Sequence, residues 1–187
     1  MDNNAVTTSF APGILIAAPE LKDPNFHQSV VLMVEHNEKG AFGVVINRPL
    51  ETTMTEFLST LKIKYAGPSD KRVLLGGPVG YDHICFIHSS QYEWEETLEV
   101  DEYVSLSFSM EGLRELSEVG ETEFYIFIGS SGWGPSQLDD EVSTGAWFTH
   151  HITTKLIFNT PHDKMWEEAF RSMGIDPFML HSSHTIQ

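Results

Sequence analysis

Apolar runs rich in valine and isoleucine recur along the chain at lengths typical of β-strands. A short polar connection that contains Gly40 separates the second run from the third, which predicts an antiparallel hairpin. Longer polar stretches separate most of the other runs. The predicted strands are Gly13–Ala18, Ser29–Glu35, Phe42–Asn47, Arg72–Leu75, His83–His88, Tyr103–Phe108, Phe124–Gly129, Ala146–Thr149 and Lys155–Phe158.

Four segments carry apolar residues at the spacing of one helical face, and each follows residues that favour a helix start. The first start is a capping box made by Thr53 and Glu56. Glycines end the last three segments, because glycine readily adopts the left-handed conformation that follows many helices. The other predicted starts are Ser109, Ser136 and Thr160 with Pro161 at the first helical position, and the stops are Gly120, Gly145 and Gly174.

Strands and helices do not alternate regularly, so a repeated βαβ architecture is not favoured. Hairpin-linked strands with helices at irregular intervals predict an α+β fold: a mainly antiparallel, curved, barrel-like sheet with helices packed around it. The chain has 187 residues, of which 41% are hydrophobic, and this length suits a single domain over residues 1–187. Residues 1–10 and 182–187 are expected to form flexible ends.

Acidic side chains dominate the second half of the sequence. The formal net charge is −16: residues 1–90 hold nine acidic and seven basic side chains, whereas residues 91–187 hold eighteen and four. Such a surface repels phosphate backbones and anionic lipid headgroups, so we expect no direct nucleic-acid partner and no membrane partner. The acidic face at 93–123 is open to two interpretations, a solvated surface or a docking surface for a basic partner.

The sequence also lacks the signals of export and membrane insertion. No apolar run reaches the ~18 residues needed to span a bilayer. The N-terminus has neither the basic nor the apolar region of a secretory signal. The single cysteine, Cys85, excludes an intrachain disulfide. These features predict a soluble, cytoplasmic protein.

Standard catalytic and cofactor motifs are missing. The glycine spacing in residues 129–134 does not fit a dinucleotide-binding turn, and Ser131 does not lie in a G-x-S-x-G motif. Neither a phosphate-binding loop nor an H-E-x-x-H zinc motif occurs. We therefore expect no cofactor and no metal, and we assign no catalytic residue.

Three segments combine glycine, proline and polar residues in a way that suits a binding site. Asn47 and Arg48 end a predicted strand just before a proline, and the rigid guanidinium fork of arginine can clamp an anion. Residues 75–80 hold three glycines around Pro78 and allow close approach to the backbone. Residues 129–138 run from a strand through a glycine-rich turn into a helix, whose free N–H groups favour anions.

If these segments lie together, they form a small hollow that suits an anionic ligand. The competing interpretation is that Arg48 only pairs internally with Glu35, Glu51 or another acid, and that the glycines serve tight turns. The candidate ligand-binding residues are Asn47, Arg48, Gly76, Gly77, Pro78, Ser131, Gly132, Trp133, Gly134 and Gln137.

The same segments resemble the AlgH/YqgE family of bacterial proteins. The resemblance covers about residues 12–178 and includes Gly13–Pro19, Gly43–Pro49, Gly76–Val79 and Gly132–Pro135. It implies an α+β domain with an antiparallel, barrel-like sheet and an ordered core over about 12–178. It implies little about activity, although the family carries the label of transcriptional regulator.

Three functions remain as hypotheses. The favoured one is a ligand-binding or regulatory interaction protein without covalent chemistry, whose partner is a small anion or another protein. The alternative is a hydrolase-like enzyme that uses Glu35, His36, His88 or Ser131. Direct DNA binding is the least favoured, because the net charge is −16.

Overall fold

A computed structural model of the protein describes residues 9–180. This part of the chain contains ten strands and six helices in irregular order. The strands are β1 Gly13–Ala17, β2 Val30–Asn37, β3 Gly40–Val45, β4 Pro49–Thr53, β5 Arg72–Leu75, β6 Val79–Ser89, β7 Thr97–Glu99, β8 Val104–Ser107, β9 Phe124–Trp133 and β10 Trp147–His150. The helices are α1 Met54–Thr60, α2 Met110–Val119, α3 Gln137–Ser143, α4 Thr154–Asn159, α5 His162–Ser172 and α6 Pro177–Leu180.

The strands form one curved, mainly antiparallel sheet in the order β10-β1-β2-β3-β9-β6-β8-β7, with β4 and β5 joined to β9 as a side branch. Strands β2 and β3 form the predicted hairpin, with Asn37 opposite Gly40. The pairing of β5 with β9 is parallel, whereas the other pairings are antiparallel. The predicted α+β fold with a curved antiparallel sheet is confirmed.

Strand β9 organises the centre of the sheet because it pairs with three other strands. Strand β6 runs along one edge of β9, and the other edge is shared by β5 and β3. Phe127 lies opposite Leu74 of β5, and Gly132 lies opposite Phe42 of β3. Between these two pairings Gly129 has a φ of +73°, a left-handed conformation that favours glycine.

Three apolar clusters fill the space between the sheet and the helices. Strand β1 is buried on both faces: Ile14 and Ile16 pack in the cluster under α4 and α5, and Leu15 packs in a second cluster with Leu138 of α3. The third cluster lies between α1, α2 and strands β5, β6 and β9. Helices on both sides of the sheet therefore explain why its strands are so continuously apolar.

Most local predictions from capping and apolar spacing are confirmed. The side chain of Thr53 accepts a hydrogen bond from the backbone N–H of Glu56, which completes the predicted capping box of α1. Ser109 caps α2 through Gly112, and Gly120 adopts the left-handed conformation at its end. Ser136 precedes α3 as predicted but makes no capping bond with its side chain.

Other local predictions are wrong. The segment Lys155–Phe158 lies in helix α4, not in a strand, because the side chain of Thr153 accepts a hydrogen bond from Leu156 N and caps a helical turn. Pro161 occupies the N-cap of α5, one position before the predicted one. The predicted stop of this helix is confirmed, because Gly174 adopts a left-handed φ of +74° directly after the C-cap residue Met173. Strands β4 and β7 and helix α6 had no predicted counterpart.

The predicted flexible ends fall largely on residues 1–8 and 181–187, which lie outside the described residues. Two residues of the N-terminal arm are described, and Phe10 stacks on His36 with ring centroids 5.1 Å apart. Within residues 9–180, none of the helices has both the length and the apolar character needed to cross a membrane.

Candidate functional site

The two glycine-rich segments pack directly on one another. The predicted turn at 129–134 is wrong, because residues 129–133 continue strand β9 and pair with β6 and β3. The backbone N–H of Gly76 donates to Ile128 O, and its carbonyl accepts from Val45 N and from the Ser131 hydroxyl, the last at 3.0 Å. Val79, just after the first turn, lies opposite Ser130 of β9. Ser131 is fully buried, so this junction joins backbone segments closely.

Asn47 and Arg48 hold the loop that leads into β2. The Asn47 side chain accepts from Val30 N at 2.9 Å and donates to Gln28 O. The Arg48 guanidinium donates to Pro24 O at 3.1 Å and to His27 O at 2.9 Å. Burial lowers the pKa of Arg48, and the charge of nearby Asp23 opposes that effect. The described partners of Arg48 are therefore carbonyl groups rather than Glu35 or Glu51.

Trp133 and Gln137 meet at the carboxylate of Glu141 on α3. The indole N–H groups of Trp133 and Trp147 both donate to Glu141 Oε2, at 2.9 and 2.8 Å. The Gln137 amide donates to the other carboxylate oxygen, and its own oxygen accepts from Gly134 N. This network fixes α3 against the sheet and occupies both oxygens of Glu141.

The structure thus brings the second and third predicted segments together, and it places Arg48 beside them through the hydrogen bond from Leu75 N to Arg48 O. Their polar side chains are directed to internal partners. Trp133 also borders a small hollow of about 190 Å³ with residues of the β2–β3 hairpin, Glu35 and Lys39 among them. Ligand binding at the ten candidate residues remains a prediction.

The residues proposed for a hydrolase do not form a reactive pair. Ser131 donates to a backbone carbonyl, and His36 accepts from Phe10 N while its Nε2 lies 3.3 Å from Asp139. Elsewhere His150 Nε2 lies 2.8 Å from the Ser172 hydroxyl, which donates to Ala169 O one turn earlier in α5. The Ser172 hydroxyl carries a single proton, and both His150 Nε2 and Ala169 O lie within hydrogen-bond reach of it.

A cavity of about 460 Å³ lies elsewhere, between the start of β5, the start of β9 and the start of α5. Its wall combines basic, aromatic and imidazole groups, with two acidic side chains among the lining residues. The residues that line it are Pro49, Pro68, Asp70, Lys71, Arg72, Thr122, Tyr125, His162 and Asp163. None of these residues belongs to the set predicted from the sequence.

Lys71 is the central polar group of this cavity. Its ammonium nitrogen donates to Thr122 O at 2.6 Å and lies 4.2 Å from the centroid of the Tyr125 ring. Within residues 9–180 Lys71 forms no ion pair. Burial lowers the pKa of Lys71 to about 8, although the negative charge of Glu121 acts in the opposite direction.

Aromatic and imidazole rings complete the wall beside Lys71. Tyr125 stacks on Phe158 and meets His162 edge-on, with centroids 5.1 Å apart. The Nδ1 atom of His162 is buried and has no hydrogen-bond partner in the described structure. Burial lowers the pKa of His162, so its ring favours the neutral form. Arg72 pairs with Glu51 at 3.2 Å.

Little in the sequence indicated that these residues would line one cavity. Lys71 follows a turn at 68–70 and comes directly before a buried strand, and His162 follows a proline at a helix start. Such positions are normally solvent-exposed, and nothing in their spacing links two residues from distant parts of the chain. Only the parallel pairing of β5 with β9 brings Lys71 next to Tyr125.

Three histidines give the fold a predictable response to acid. Burial lowers the pKa of His88, His150 and His162 below that of an unfolded histidine. The unfolded chain therefore takes up protons near pH ~6.5 that the folded chain does not, and the free energy of unfolding should decrease as pH falls from 7.5 to 5.5. Each histidine that stays neutral contributes at most about 1.4 kcal/mol per pH unit.

Urea titrations at several pH values measure this slope. We expect His88→Asn to flatten it, because His88 is fully buried, whereas His83→Asn on the exposed part of the same strand should leave it unchanged. If the free energy of unfolding of His88→Asn depends on pH as steeply as that of the wild type, the buried His88 does not cause the pH dependence.

The class of protein is thus an α+β domain built on a curved antiparallel sheet, with a polar cavity beside the central strand. The sequence profile of the AlgH-like family DUF179 matches residues 14–178. A UPF0301 protein from Shewanella loihica is 34% identical over 173 residues, which are 90% of this chain and 94% of that protein. A UPF0301 protein from Myxococcus xanthus is 36% identical over 173 residues, 92% and 95% of the two chains. The chain belongs to the AlgH-like UPF0301 family, as its motifs indicated.

Two solved structures share the fold. The solution structure of the AlgH protein from Pseudomonas aeruginosa superposes with a TM-score of 0.75 at 32% identity and covers 100% of both chains. A crystal structure of a Corynebacterium diphtheriae protein gives a TM-score of 0.71 at 19% identity, covering 92% of this chain and 90% of that one. The second likeness shows the fold alone.

Proposed function

We propose that this protein binds a small organic anion in the Lys71 cavity and acts as a binding or regulatory protein without covalent chemistry. The observation that carries the proposal is the half-buried Lys71 ammonium, which has a carbonyl and an aromatic face as neighbours but no ion pair in the described chain. A partly desolvated charge without a counter-ion is costly, and an anionic ligand would relieve that cost.

The other lining groups suggest the shape of the ligand. Tyr125 offers an apolar wall, and the His162 ring meets it edge-on in the same wall. Asp70 and Asp163 are exposed carboxylates that would repel an anion with several charges. These features favour a compact ligand with one carboxylate and a planar or apolar portion.

Nucleic acids and membranes are still not expected as direct partners. A net charge of −16 still argues against duplex DNA and anionic membranes as direct partners. The hydrolase alternative gains no support, because Ser131 and His88 are each buried with backbone carbonyls as their hydrogen-bond partners.

Benzoate and its neutral analogue benzamide test the proposal as simple probes. Benzoate should raise the thermal midpoint, and a concentration tenfold above its Kd should add about 1.4 kcal/mol to the free energy of unfolding. Benzamide should have little effect. Binding should weaken as pH rises through about 8, because Lys71 then loses its charge.

Two lysine variants separate a specific site from general charge effects. Lys71→Met should abolish the benzoate shift, whereas Lys22→Met removes the same charge from an exposed loop and should retain it. The proposal is wrong if benzoate and benzamide raise the thermal midpoint of the wild type equally. It is also wrong if benzoate raises the midpoint of Lys71→Met as much as that of the wild type.

A further inference from the structure

A second cleft, of about 360 Å³, lies at the free edge of the sheet beside β7, far along the sheet order from β10 and β1. Three carboxylates, Glu93, Glu99 and Glu102, line it together with the hydroxyl-bearing residues Ser90, Tyr92, Thr97 and Ser105. The lining contains no basic side chain. The cleft lies within the acidic face that the sequence left open to two interpretations.

One polar row leads from the core of the sheet into this cleft. His88 of β6 lies opposite Ser105 of β8, and Ser105 lies opposite Glu99 of β7. Ser105 is only 3% exposed, yet it lines the cleft, and its hydroxyl makes no hydrogen bond in the described structure. This oxygen is not fully enclosed, so it opens onto the cleft, where a ligand can contact it.

The charge of the cleft defines the chemistry of that ligand. Three carboxylates around one cavity attract a cation. Within residues 9–180, no three His, Cys, Asp or Glu side chains come together with the geometry of a metal site. An extended organic cation, such as a guanidinium or ammonium group, therefore fits the cleft better than a bare metal ion.

The neighbouring strand offers a place for a peptide backbone. Strand β7 pairs with β8 and ends the sheet order. Glu96 O accepts from Phe108 N and Val100 N donates to Val104 O, so the even-numbered residues of β7 bond to β8. By the alternation of antiparallel pairing, the backbone groups of Thr97 and Glu99 point away from β8, toward the free edge.

The two faces of this edge differ in character. Glu99 faces the acidic cleft, whereas Leu98 lies on the opposite face, opposite Leu106 of β8. Leu98 is 43% exposed, and Phe108, two residues beyond Leu106, is 38% exposed. A strand added at this edge would place alternate side chains against carboxylates and against apolar surface.

We propose that the acidic cleft and the edge of β7 bind an extended, basic segment of a partner protein, in which basic and apolar residues alternate. Charge complementarity selects the basic residues, and the exposed backbone of β7 supplies the hydrogen bonds. This site is independent of the Lys71 cavity, so either proposal can fail alone.

Edge protection is the competing explanation. Short edge strands with charged side chains keep other strands from pairing, and β7 has three residues and ends in a glutamate. Protection predicts that no peptide binds here in a register-dependent way. The unpartnered hydroxyl of Ser105 is not required for protection, which is why binding is the better account.

A fluorescein-labelled decapeptide of alternating arginine and valine tests the proposal by fluorescence polarisation at low salt. Glu99→Gln with Glu102→Gln should weaken binding about tenfold, since both carboxylates line the cleft. Glu111→Gln with Glu118→Gln removes the same charge from exposed positions on α2 and should change the Kd less than about twofold.

A second peptide, N-methylated at every backbone nitrogen, tests the backbone contribution because it lacks the donors needed for strand pairing in either orientation, and it should bind more weakly than the parent. The proposal is overturned if the parent peptide does not bind, if both double variants weaken it equally, or if N-methylation changes nothing. Circular dichroism melting curves confirm that the variants fold.

Discussion

Replacing Trp166 with alanine should lower the free energy of unfolding by about 3–5 kcal/mol. The Trp166 ring is 5% exposed and lies in the apolar cluster between the sheet and α5. It meets Phe170 edge-on at 5.0 Å, and its indole N–H donates to Ala17 O of β1 at 2.9 Å. The substitution therefore removes a large buried ring and leaves a buried carbonyl without its donor.

Two further variants separate these contributions in a urea titration followed by circular dichroism. Trp166→Phe keeps most of the ring but loses the bond to Ala17, so it should cost about 1–3 kcal/mol. Tyr81→Ala removes an aromatic ring that is 60% exposed and should stay within about 0.5 kcal/mol of the wild type. A loss below about 1 kcal/mol in Trp166→Ala would mean that α5 is not docked as described.

Local elements were predictable wherever neighbouring residues determine them. The β2–β3 hairpin follows from two apolar runs and a short connection, and α1 and α2 follow from caps at Thr53 and Ser109. Segment 155–158 shows the limit of this reasoning, because three consecutive apolar residues fit a strand or a buried helical turn equally well. The Thr153 side chain, just before this run, accepts a hydrogen bond from Leu156 N and thereby favours the helical turn.

The arrangement of the sites depends on contacts between distant parts of the chain, which no spacing encodes. The glycine-rich segments were recognisable, but whether they receive a ligand or another strand depends on what packs against them. Likewise, Lys71 and His162 carry no shared motif, and the fold makes them neighbours through β5, β9 and α5. The acidic face was evident from composition, whereas the unpaired Ser105 within it required the register of β8.

Replacing Gly77 with alanine should destabilise the protein by more than about 3 kcal/mol or prevent folding. Gly77 has a φ of +145°, which residues with a side chain rarely adopt. A Cβ at this position would overlap the carbonyl oxygen of Ser130 and the hydroxyl of Ser131, and both belong to the central strand β9. Neither can move away easily, because Ser131 is buried and bound to Gly76 O.

Gly145→Ala is the matched control, because Gly145 also has a positive φ, +78°, but nothing lies within 4 Å of the position of its Cβ. It should cost about 1–2 kcal/mol, the conformational term alone. Urea titration gives the free energy of unfolding of each variant, and the difference between the two values is the cost of moving the glycine-rich turn at Gly77 away from β9.

That turn follows β5, which starts beside Lys71, and β9 carries Tyr125. The same contact therefore fixes two walls of the Lys71 cavity. If Gly77→Ala costs no more than Gly145→Ala, the turn can move away from β9 and the cavity geometry does not depend on it.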